Sequence, residues 1–135
     1  MPEPRPVDDG PLRVLVVDAD DRVRESLAGL LAIGGKVIVV GTAGQPGPAL
    51  TLALETHPDV VILDPRLPEV DNGIAFMGGL RAIVPGVRIL AMSWSDSLES
   101  AVLESGADGF VRKTFRPSEL TAAILAAGRD VTPAA

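Results

Sequence analysis

Apolar runs and amphipathic stretches alternate along the chain. The apolar runs are Leu12–Val17, Val37–Val40, Val60–Leu63 and Val87–Met92, with a shorter "GFVRK" at Gly109–Lys113. The first four are rich in β-branched residues and continuous rather than alternating, the pattern of strands buried on both faces. Helical periodicity fills the gaps. Val23, Leu27, Leu30 and Leu31 share one face of a first helix. Pro48–Thr56 makes a short Ala/Leu-rich second, and Phe76, Met77, Leu80 and Val84 mark a third. Leu98, Ala101 and Val102 mark a fourth, and Leu120, Ile124 and Ala127 a fifth. Gly34-Gly35, His57-Pro58, Pro85-Gly86 and Pro117 punctuate the series where turns and helix starts are needed.

This is β-α repeated five times. Right-handed crossovers turn such a series into a parallel sheet covered by helices on both faces, an α/β class of fold. Ligands of open sheets of this kind bind beyond the carboxyl ends of the strands, where the strand order reverses. The first strand ends at Asp18, with Asp20 and Asp21 close behind; the third ends at Asp64, the fourth at Ser93 and the fifth at Lys113. Like charges about 4 Å apart repel by roughly 4 kcal/mol at an effective dielectric near 20, so the acids need compensation. Each residue alone has a plain structural reading. Asp20 or Asp21 suits a helix N-cap, Ser93 a turn and Lys113 a surface ion pair. Polar groups of complementary chemistry at four strand ends point instead to a shared site. Mg²⁺ takes oxygen ligands, often one or two carboxylates plus phosphate, and an Asp can attack phosphorus. The chemistry suggested is divalent-metal binding and phosphoryl transfer.

Composition narrows this picture. The 135 residues suit one domain, and with three Phe and one Trp the core must be built from Val, Leu, Ile and Ala. The chain has no Cys, which excludes disulfides and thiolate sites. A net charge of −6 without a basic run argues against a nucleic-acid surface. No apolar stretch reaches the roughly 18 residues of a membrane span, and the polar, Pro-rich start lacks a signal-peptide core. The expectation is a cytoplasmic protein without membrane or direct nucleic-acid contacts. A domain over 12–128 is expected between a disordered N-terminal tail at 1–11 and a polar C-terminal tail at 129–135.

Four segments in order resemble the receiver domain of two-component response regulators over about residues 12–128. They are "VLVVDADDRVRESLAGLL", "PDVVILDPRLPEVDNGIAF", "VRILAMSWSD" and "ESGADGFVRKTFRPSEL". The resemblance implies a doubly wound, flavodoxin-like (βα)5 fold and a set of roles. Asp64 would accept a phosphoryl group from a sensor histidine kinase. Asp18, Asp64 and the backbone carbonyl of Arg66 would hold Mg²⁺. Lys113 and Ser93 would bind the phosphoryl oxygens, and Ser93 and Phe110 would form the switch. An output protein would meet the face made by the fourth helix, fifth strand and fifth helix. Such a chain is a phosphoacceptor rather than an enzyme in the ordinary sense. It would stand alone or form the receiver part of a longer regulator.

The sequence also departs from the family pattern. Ala19 stands where a second acid is usual, so Asp20 either reaches back as a replacement metal ligand or only caps the helix, leaving Mg²⁺ binding weak. Thr114 replaces a common proline after the lysine, which favours a trans bond there. Pro65 removes a backbone N–H beside the acceptor. Trp94 puts a bulky ring beside Ser93, and Asn72 lengthens the expected Asp71–Gly73 turn by one residue. Two competing functions follow: a pseudo-receiver that binds partners without phosphorylation, favoured by Ala19, Pro65 and Trp94; and a haloacid-dehalogenase-like phosphatase, which "VVDADDRV" also resembles, but without that family's cap domain and paired acids. A flavin or nucleotide site is disfavoured, because no Gly-rich phosphate loop follows the first strand.

Overall fold

The computed structural model describes residues 10–113 and 116–128. In chain order the elements are β1 (Leu12–Val17), α1 (Asp21–Ala32), β2 (Val37–Ala43), α2 (Pro46–Thr56), β3 (Val60–Leu63), α3 (Val70–Ile83), β4 (Arg88–Ser93), α4 (Glu99–Glu104), β5 (Gly109–Arg112) and α5 (Pro117–Gly128). The five strands form one sheet in the order β2-β1-β3-β4-β5, every neighbouring pair parallel. This is the parallel sheet that the alternation predicts, in the flavodoxin-like, doubly wound topology that the resemblance implies.

Strand pleating sorts the core into two layers. Leu15, Val17, Val61, Leu63, Ile89 and Ala91 face α2 and α3, where they meet Ala49, Ala53, Phe76, Met77 and Leu80. Their strand neighbours Val14, Val16, Val60, Ile62, Leu90 and Met92 face α1 and α5, against Leu27, Leu31, Leu120 and Ile124. Val14–Val17 and Val60–Leu63 are wholly buried, which explains why those runs are continuous rather than alternating. Each such side chain contributes roughly 1.5–3 kcal/mol by leaving water.

The chain crosses from β1 to β2 on one side of the sheet and later to β3 on the other. The order therefore reverses between β1 and β3, and the carboxyl ends of these two strands flank the crevice. The ladder continues past both ends. Asp18 N–H donates to the Ala43 carbonyl at 3.0 Å, and Asp64 N–H to the Val17 carbonyl at 3.1 Å. Both aspartates are thereby fixed at the sheet rim by main-chain bonds.

Several element boundaries and faces differ from the sequence reading. β2 runs on to Ala43 because an edge strand does not need a continuous apolar run; Ile38 on it is 47% exposed. α2 begins at Pro46, two residues early, with proline in its first turn. α4 is only six residues long, behind a 3-10 turn at Asp96–Leu98. With so little helix, Val102 alone is buried from it and Ala101 faces solvent, contrary to the expected stripe. Residues 71–73 are not a loop turn but the first turn of α3, and Asn72 Oδ1 accepts from Glu69 N–H at 3.3 Å. Apart from Gly10 and Pro11, the tails expected at 1–11 and 129–135 lie outside the described residues. So does Thr114 with the bond that precedes it.

Candidate functional site

The three carboxylates that follow β1 each have a separate partner. Asp20 is the N-cap of α1: its Oδ1 accepts from Arg22 N–H at 2.8 Å. Asp21, in the first turn, pairs with Arg24 one helical turn on. Asp18 is buried and points inward, with Oδ1 accepting from Asp20 N–H at 2.9 Å and Oδ2 2.7 Å from Lys113 Nζ. The repulsion anticipated among them is thus relieved by a helix terminus and two cations. Arg24 also donates to the Asp18 carbonyl at 2.6 Å. Sequence reasoning passed over Arg24, although its spacing of three from Asp21 marks it as a partner.

Asp64 sits across the crevice. Its Oδ2 accepts from Lys113 Nζ at 2.7 Å, and its Oδ1 from Arg66 N–H at 2.9 Å. Pro65 contributes no N–H, so the next residue along supplies the donor. Lys113 follows β5, and its N–H extends the ladder to the Ser93 carbonyl at 2.9 Å. The Lys113 side chain is 2% exposed, and one ammonium serves both carboxylates. Ser93 is buried at the end of β4, while Phe110 is half-buried against the α2–α3 layer. The structure therefore brings Asp18, Asp64 and Lys113 into contact, with Ser93 joined to Lys113 through the main chain. Asp20 is turned into its cap, and the Arg66 side chain is exposed.

Gly73 is a further residue that the site depends on. A Cβ there would lie 1.8 Å from the Pro65 carbonyl oxygen. The first turn of α3 thus presses directly on the segment that carries Asp64. This main-chain approach accounts for the glycine of the "DNG" step.

Burial by itself would lower the Lys113 pKa. Hydrogen bonds to Asp18 and Asp64, and their charges, outweigh that and hold it above the ordinary 10.5. The sign of the linkage follows. A raised folded-state value gives stability that is complete below the unfolded value of about 10.4 and is lost as pH climbs through the folded one. The chain has no Tyr or Cys, and its only lysines are Lys36 and Lys113. Urea unfolding between pH 9 and the alkaline limit is therefore expected to show stability falling above about pH 10.4. The same fall should appear in Lys36→Arg. A flat profile in that variant would contradict the shared ammonium.

Among the described residues, no group of three or more Asp, Glu or His side chains is arranged to hold a metal ion. Two carboxylates do converge. The buried Asp18 Oδ2 has the Lys113 ammonium beside it but no hydrogen bond of regular geometry. Two carboxylates with water and phosphate oxygens are a sufficient set for Mg²⁺. The residues fit that ion, with one acid fewer than the usual pocket because residue 19 is Ala.

The chain matches known proteins along most of its length. The family model described as "Response regulator receiver domain" matches residues 14–125. Response regulator MprA of Mycolicibacterium vanbaalenii is 37% identical over 125 residues, covering 91% of this chain and 53% of that protein. Transcriptional regulatory protein KdpE of Mycobacterium tuberculosis is 37% identical over 123 residues, covering 90% and 53%. The signal receiver domain of the response regulator NarL from Mycobacterium tuberculosis superposes with a TM-score of 0.78 at 31% identity, covering 88% of this chain and 97% of that one. The chain belongs to the response regulator receiver domains, and is a receiver of two-component signalling. Such domains are signalling modules rather than ordinary enzymes. They generally bind Mg²⁺ at the phosphorylation site and work with sensor kinases and output domains. The chain spans about half the length of MprA and KdpE. The pseudo-receiver and phosphatase readings gain no support from these matches. No helix among the described residues is long and apolar enough to cross a membrane.

Proposed function

We propose that this receiver takes a phosphoryl group onto Asp64 from a sensor histidine kinase, in a Mg²⁺-dependent reaction in the cytoplasm. The observation that carries the reading is the Lys113 ammonium, 2.7 Å from both Asp18 and Asp64 at the strand-order switch point. An Asp64 oxygen attacks phosphorus while the P–N bond to the kinase histidine breaks, and the imidazole leaves with that electron pair. Arg66 N–H and Lys113 Nζ hold one oxygen each, so the carboxylate is oriented before the donor arrives. Lys113 and the Ser93 hydroxyl then bind the transferred oxygens.

Asp18, Asp64 and the Arg66 carbonyl would hold Mg²⁺, with Asp20 retained as a helix cap. The ion supplies positive charge that balances the incoming phosphoryl oxygens. Ala19→Asp is expected to tighten Mg²⁺ binding about tenfold. A carboxylate about 4 Å from a divalent ion gains roughly 1–2 kcal/mol in water-like surroundings. Unchanged affinity by titration calorimetry would contradict the assignment of the ion to this pocket.

Phosphorylation adds negative charge and acceptor oxygens beside Ser93, drawing its hydroxyl in and Phe110 after it. The α4–β5–α5 face then changes and meets the output partner. That partner is a protein or a further domain of a longer regulator. Asp64→Asn tests the reading: the variant should fold as the parent does and take up no phosphoryl group.

A further inference from the structure

Trp94 is the only Trp of the chain, and it is 56% exposed. Its ring centroid lies 5.2 Å from Lys113 Nζ, within cation–π range. The strand ladder sets up this approach, since the bond from Lys113 N–H to the Ser93 carbonyl puts residues 94 and 113 side by side. Arg112 also holds the Trp94 main chain, with Nε and Nη2 donating to the Trp94 carbonyl at 3.4 and 3.3 Å. The ammonium in question is almost wholly removed from water, the condition under which an aromatic face attracts a cation most strongly.

We infer that Trp94 is a positioning residue of the phosphoacceptor site, holding the Lys113 ammonium on Asp64 and closing its solvent side. This rests on the reading of Asp64 as acceptor. Without the ring the ammonium gains a hydration shell and more freedom to leave Asp64. With it, Lys113 stays where the phosphoryl oxygens arrive, and water reaches the acyl phosphate less readily. Any bulky side chain would cover the site. Only an aromatic one also holds the cation, so Trp94→Leu separates the two effects and Trp94→Phe restores the second in weaker form.

The test uses the full chain with Trp, Phe or Leu at position 94. In the unphosphorylated protein, the Lys113 Cε protons are expected to resonate upfield under the indole ring current. They should move downfield in Trp94→Leu and part of the way in Trp94→Phe. Identical Lys113 resonances in all three would overturn the inference. In phosphorylated protein, Trp94→Leu is expected to shorten the acyl-phosphate lifetime two- to fivefold, the factor that roughly 0.5–1 kcal/mol represents. An unchanged lifetime would likewise overturn it. Should the parent take up no phosphoryl group, the assignment of Asp64 fails, and the Lys113 resonance still decides whether Trp94 holds the ammonium.

Discussion

Gly73→Ala is expected to lower the free energy of unfolding by about 3 kcal/mol, the upper end of what overpacking costs. The new methyl would lie 1.8 Å from the Pro65 carbonyl oxygen and 2.6 Å from its carbon. Both are main-chain atoms, so no side-chain rotation relieves the clash. Either α3 or the segment carrying Asp64 must move. Gly78→Ala is the control in the same helix. Nothing lies within 4 Å of its added methyl, and Ala is the better helix former by about 0.8–1 kcal/mol. Urea denaturation should therefore separate the two variants in opposite directions. Equal midpoints would show that the close approach of α3 to Pro65 does not hold in solution.

The second large effect is expected for Lys113→Met. The methionine fills much of the same volume but removes the ammonium that serves two carboxylates. Asp18, with 4% of its side chain exposed, and Asp64, with 14%, are then left facing each other. Removing one partner of a buried pair costs about 3–5 kcal/mol, because the remaining charge keeps its desolvation penalty. Lys36→Met, at the exposed chain turn before β2, should stay within about 0.5 kcal/mol of the parent. Adding Asp64→Asn to Lys113→Met should recover part of the loss, since the double variant leaves one buried acid instead of two. If Lys113→Met proves as mild as Lys36→Met, the ammonium is not the counter-ion of this pocket.

Much of this was legible in the chain because its signals are physical. A strand buried on both faces has to be continuously apolar, so Val60–Leu63 and the inner part of β1, Val14–Val17, stand out as strands. Asp18 and Asp64 follow directly at their carboxyl ends. Edges and short helices were harder to place. β2 has one partner strand, so Gly41 and Thr42 can extend it without apolar character. Ala101 fits a helical stripe in sequence, but α4 is too short to bury it. The fate of each carboxylate was also out of reach of pattern alone. "DADD" does not say which acid caps, which pairs with Arg24 and which turns inward. That depends on where the loop enters α1. The pressure of Gly73 on Pro65 is a contact between main chains, invisible to any reading of side-chain type.

The account turns on Asp64 as the residue that accepts phosphate. The most direct measurement is intact-mass spectrometry of the chain after incubation with acetyl phosphate and Mg²⁺, beside Asp64→Asn. The account predicts a gain of one phosphoryl group in the parent and none in the variant, with both folded by circular dichroism. An equal gain in the two proteins would place the phosphoryl group elsewhere, and no gain in the folded parent would contradict the proposed reaction with this donor.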